Sequence, residues 1–143
     1  MIKRHILMAD PLGIAKQVQT ALTKINESLE LVSVTDGARC ITAHAKLCKA
    51  KAPPIIVLLP GKLDRVNGSR VAVTLRTIEQ KLGVSAAAII YIADPDEDTS
   101  QTKAWGRAVA LTRRPEDGPQ QEASRLVRAI AKVLSQLNKR GRQ

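Results

Sequence analysis

The run from Pro54 to Leu59, Pro-Ile-Ile-Val-Leu-Leu, is followed at once by Pro60-Gly61-Lys62-Leu63-Asp64. An apolar run this short between turn-formers is too brief for a helix that packs alone. It is rich in β-branched side chains and reads as a strand buried on both faces. His5-Ile6-Leu7-Met8-Ala9-Asp10 and Ala87-Ala88-Ile89-Ile90-Tyr91-Ile92-Ala93-Asp94 repeat the pattern, each closing on a polar residue. Such strands belong to parallel sheets covered by helices. In an open sheet of that kind, chemistry gathers at the carboxyl ends of the strands.

The intervening segments supply the covering helices. Asp10-Pro11 opens one whose apolar face carries Ile14, Val18, Ala21, Leu22 and Ile25. Leu29 to Val34 alternates enough for an edge strand, and Asp36-Gly37 turns into a helix from Ala38 to Lys49. After the central strand and a loop through Asn67-Gly68, a third helix buries Val71, Leu75, Ile78 and Leu82 and stops at Gly83. Beyond the acidic loop from Asp94 to Asp98, Thr99 to Gly106 is a weak helix and Ala108 to Thr112 a short strand. The last helix starts near Pro119 and buries Ala123, Leu126, Val127, Ile130, Val133, Leu134 and Leu137. Five strands alternating with five helices make an α/β sheet with helices on both faces. The reading is one domain over residues 1–137, then a frayed basic tail over 138–143.

Hydrophobic residues make up 44% of the 143, with one Trp, one Tyr and no Phe, so the core is aliphatic. The formal charge of +10 permits binding to an acidic protein, nucleic acid or anionic lipid without choosing among them. Ile6 to Ala9 is too short for a signal peptide, and no run approaches membrane-spanning length. Cys40 and Cys48 lie eight apart on one helix and cannot bridge along it. A cytoplasmic protein without membrane contact is expected.

The order of elements and several strings resemble the receiver domain of two-component response regulators, the flavodoxin-like type of the chemotaxis regulator. The resemblance spans Lys3 to about Leu137 and implies a (βα)5 three-layer sandwich with a parallel sheet in the order 2-1-3-4-5. Ile6-Leu7-Met8-Ala9-Asp10 is similar to the first strand with its acidic end. Pro53 to Leu59 is similar to the third strand, and Arg114-Pro115 to the Lys-Pro pair after the fifth. The departures carry the functional meaning. The resemblance puts Leu59 at the phosphoacceptor position, and leucine has no oxygen to attack a phosphoryl donor. The acidic pair that helps hold Mg²⁺ is reduced to Asp10 beside Pro11, a poor site for a cation that takes carboxylates, waters and phosphate oxygens. Ala93 stands for the Ser or Thr of strand four, Arg114 for the Lys, and Leu111 for the aromatic switch. The resemblance therefore implies a pseudo-receiver, with no cofactor, no metal and no catalysis. Asp64 would serve as an acceptor only if the strand ran on through Pro60-Gly61, which strands disfavour.

Cys40, His44 and Cys48 share a helix face with Ile41 and Leu47, which makes them core residues rather than three zinc ligands. Asp94, Asp96 and Asp98 begin a calcium-loop spacing that lacks its glycine and closing Glu; weak cation binding near Asp10 is the most they allow. Gly61-Lys62 lacks the rest of a phosphate loop. The basic residues remain. Arg125, Arg128 and Lys132 run along the last helix toward Lys139, Arg140 and Arg142, and Arg107, Arg113 and Arg114 flank strand five. In the receiver family this face is the usual partner surface. The expected function is a phosphorylation-independent adaptor that binds a protein partner, acidic in surface, through Trp105, Arg107, Arg113, Arg114, Arg125 and Arg128. The alternative readings are a regulator phosphorylated on another carboxylate and a basic nucleic-acid-associated protein. A homodimer is left open.

Overall fold

The computed structural model describes residues 4–63 and 65–141, with side chains to Leu137. Five parallel strands, β1 (Arg4–Ala9), β2 (Leu29–Val34), β3 (Ile56–Pro60), β4 (Ala88–Ala93) and β5 (Ala108–Thr112), form one sheet in the order β2-β1-β3-β4-β5. The helices are α1 (Ala15–Ile25), α2 (Gly37–Lys49), α3 (Gly68–Leu82) and α4 (Pro119–Gly141), with a short 3₁₀ helix at Ser100–Trp105. The expected flavodoxin-like sandwich is the fold observed. The expected tail begins inside α4, which continues to Gly141; Arg142 lies outside the described residues, and so does Asp64.

Local chemistry sets the helix boundaries. Asp36 caps α2 by accepting the Arg39 amide at 2.8 Å, and Asn67 caps α3 by accepting that of Arg70 at 3.1 Å. Gly83 closes α3 with φ +65°, a conformation that glycine adopts without strain. Between Pro95 and Gly106 there is room only for the six-residue 3₁₀ turn where a fourth full helix would otherwise lie.

Strand side chains alternate between two cores. Ile6, Met8, Ile56, Leu58, Ile90 and Ile92 face the layer of α1 and α4, together with Val18, Leu22, Leu126 and Ile130. Leu7, Ala9, Val57, Leu59, Ile89, Tyr91 and Ala93 face the opposite layer with Cys40, Val71, Leu75 and Trp105. Three positions expected in the core are not buried. Ile25 and Leu82 are exposed at the ends of α1 and α3, and Ile78 is only half-buried. The fully inward residue near the end of α3 is Glu79, 2% exposed.

Candidate functional site

The carboxyl end of the sheet holds a small crevice, about 20 Å³, between β1, β3, β4 and α4. Asp10 and Pro11 line it as expected. Leu59, Ala93 and Arg114 do not. Leu59 and Ala93 are completely buried in the α2–α3 layer. The residues opposite Asp10 are Pro60, Ile92 and Arg113, with Glu122 from α4. The cause is register. Met8 pairs with Leu58 and Pro60 with Ile92, so two residues past Met8 the level of Asp10 meets Pro60. A shift of one residue along a strand turns the side chain to the other face.

Asp10 is already occupied. One carboxylate oxygen accepts the amides of Gly13 and Ile14 at 2.9 and 3.0 Å, and the other accepts that of Ala15 at 2.9 Å. Asp10 thus holds the turn that leads into α1, and the helix itself begins at Ala15, four residues after the Pro11 start that the sequence suggests. Across the crevice Arg113 and Glu122 pair at 3.0 Å. Pro60 and Ile92 contribute hydrocarbon alone.

The acidic loop forms a separate hollow of about 340 Å³ with Gly61, Asn67 and Ser69, apart from Asp10. Lys62 bridges Asp94 at 2.9 Å, and that contact raises the lysine's pKa. The Tyr91 hydroxyl donates to Glu97; burial first, then this carboxylate, pushes the tyrosine pKa up. Among the described residues no cluster of three His, Cys, Asp or Glu could hold a metal.

Cys40, His44 and Cys48 are buried, and His44 instead meets a charge network the sequence did not reveal. Glu79 accepts His44 at 3.2 Å, the Ala87 amide at 2.8 Å and Arg76 at 2.8 Å. Burial alone would raise the Glu79 pKa; the bonds from His44, Ala87 and Arg76 outweigh it and hold the carboxyl below its ordinary value. Arg76 also donates to the backbone carbonyls of Trp105 and Arg107, at 2.7 and 3.1 Å.

The residues expected on the basic face fall in different places. Trp105 is 7% exposed and meets Tyr91 edge to face, ring centroids 5.3 Å apart. It is a core residue and not an anchor for a partner, because the 3₁₀ turn tucks it under the sheet. Arg113 turns into the crevice. Arg114, Arg125, Arg128 and Lys132 rim a groove of about 400 Å³ between β5 and α4, floored by Val109, Leu111, Ala129 and Val133. Arg107 stands at the far end, in a hollow of about 150 Å³ that shares Val109, Val133 and Gln136 with that groove.

The receiver domain of the histidine kinase CKI1 from Arabidopsis thaliana, solved with Mg²⁺ and BeF3⁻, superposes with a TM-score of 0.68 at 17% identity, over 93% of this chain and 90% of that one. The signal receiver domain of a putative LuxO repressor protein from Vibrio parahaemolyticus gives 0.65 at 17%, over 99% and 96%. A response regulator receiver protein from Sinorhizobium medicae gives 0.60 at 20%, over 93% and 95%. The fold is that of a receiver domain. No family model and no curated protein sequence matches the chain. On this receiver fold, the crevice described above lies at the strand ends. Among the described residues no helix is long and apolar enough to cross a membrane.

Proposed function

We propose that this chain is a signalling adaptor that keeps the receiver fold but works without phosphoryl transfer and without catalysis, docking an acidic protein partner on the groove between β5 and α4. The observation that carries the reading is the state of Asp10. Both its oxygens serve backbone amides, and the strand residues facing it, Pro60 and Ile92, offer no nucleophile. The neighbouring carboxylate, Glu122, is engaged by Arg113. A crevice of about 20 Å³ holds roughly one water and no phosphoryl group. The groove supplies the positive counterpart: a cluster of cations over an apolar floor, on a chain of charge +10. Both cysteines are buried thiols, which suits a reducing compartment such as the cytoplasm.

The test borrows the ligands seen on the plant receiver domain. The protein is incubated with acetyl phosphate, or with beryllofluoride and Mg²⁺, and followed by intact mass and by amide chemical shifts from Asp10 to Ala15. No adduct and no saturable shift are expected. A stoichiometric phosphoryl adduct would overturn the proposal in favour of a regulator that uses another carboxylate.

A further inference from the structure

Resting on that reading, we propose that the partner docks as an extended acidic segment that adds a sixth strand to the outer edge of β5. β5 is the last strand of the sheet and pairs only with β4. The Ile89 amide donates to the Arg107 carbonyl, and the Arg113 amide to the Ala93 carbonyl, each at 2.8 Å. A parallel ladder uses alternate residues, so the amides and carbonyls of Ala108 and Ala110 point away from the sheet. The Thr112 carbonyl points the same way and accepts Arg125 at 2.8 Å. The strand is short, but its own residues lack two features that guard such an edge. It has no proline and no charged side chain, and Val109 is 44% exposed.

The groove beside this edge runs the length of β5, since its two parts share Val109, Val133 and Gln136. No carboxylate lines either part among the described residues. Charge and hydrogen bonding then select the occupant. A second copy would bring the same cations face to face at +10 per chain. A nucleic-acid strand would neutralise them, but its phosphodiesters offer only acceptors to the outward carbonyls. An extended peptide supplies donors and acceptors in alternation. Its side chains recur on one face about every 6.6 Å, so acidic residues at alternate positions reach Arg114, Arg128 and Lys132, their methylenes lie over the apolar floor, and the intervening residues turn to the opposite face of the sheet.

The probe is the peptide acetyl-(Glu-Val)₃-amide, titrated into the full chain by NMR. Its companions are the same peptide N-methylated at alternate amides and a single-stranded oligothymidine. The parent peptide should bind saturably, more tightly at low salt, and slow hydrogen exchange at Ala108 and Ala110. N-methylation should weaken binding about tenfold or more, and so should Ala110→Pro, which removes an outward donor without touching the β4 ladder. The double reversal Arg128→Glu with Lys132→Glu should abolish it. The N-methylated peptide keeps the test decisive even if A110P fails to fold. Equal binding of parent and N-methylated peptides refutes strand addition and leaves acidic docking standing. Oligothymidine binding with no peptide binding up to about 1 mM refutes both. No binding of either probe in that range refutes strand addition, and a folded double-reversal variant with unchanged peptide binding refutes docking in the groove.

Discussion

Replacing Asp10 by Ala separates a structural acid from a metal ligand. The substitution removes the acceptor of three amides at once. The Gly13 amide is exposed and regains water; those of Ile14 and Ala15 are partly buried and do so poorly. Losing a capping side chain costs about 0.5–2 kcal/mol, and a bond to a charged acceptor about 1.5–3. With partial resolvation, about 2 kcal/mol is the expected loss, or about 4–8 °C in Tm for a chain of this size. Asp10→Asn retains one acceptor oxygen and should lose about half as much. The assay is urea and thermal unfolding at pH 7 by circular dichroism, with and without roughly 10 mM Mg²⁺. A resident Mg²⁺ site would stabilise the native state by mass action, about 2.7 kcal/mol at a hundred times its Kd. No Mg²⁺ effect is expected in either protein. The reasoning is refuted if D10A unfolds like the parent, or if Mg²⁺ raises the parent's Tm and leaves that of D10A unchanged.

Glu79→Ala should cost about 3–5 kcal/mol, because it strands a buried amide and unpairs Arg76 and His44; denaturant unfolding measures it, and a loss under about 1 kcal/mol counts against the network. Since the folded-state pKa of Glu79 lies below the ordinary 4.5, its contribution is present above that value and fades as pH falls through the folded one. Acid unfolding of Glu79→Gln should therefore show a shallower loss of stability below about pH 4.5 than the parent. Trp105→Ala should destabilise by about 3–5 kcal/mol, a core effect that a surface anchor would not produce. The Cys40 thiol is pushed up to about 12 by burial first and then by Asp36, and the Cys48 thiol is raised by burial and Glu79. A thiol reagent at pH 8 should leave both unmodified in the native protein and label both after unfolding; fast native labelling of either would contradict their burial.

The inner strands β1, β3 and β4 were legible because each carries an unbroken apolar run between polar or turn-forming residues, and β2 was legible from its alternation. Helix ends were legible where Asp36, Asn67 and Gly83 announce them. The one-residue offset at the crevice was not. Ile55 to Pro60 contains no polar residue to mark which side chains face which layer, so parity had to come from pairing with Met8. Glu79 was hidden for a different reason. A helical wheel sees only its own helix, whereas the partners that admit this carboxylate to the interior, His44 and the Ala87 amide, lie on other elements. Trp105 looked exposed beside its basic neighbours, and its burial depends on Tyr91 and the backbone grip of Arg76.

That grip has a mechanical consequence. The guanidinium of Arg76 holds the chain on both sides of Gly106 while also meeting Glu79, which in turn meets His44. The rim of the sheet is thereby stitched through α3 to α2, by three side chains in series. Lifting the start of β5 away from the sheet breaks the Arg76 bonds to Trp105 and Arg107, so that end of the rim and the buried network are expected to open together. A tug applied at the rim is felt two helices away in the same layer, at α2, without any helix having to slide.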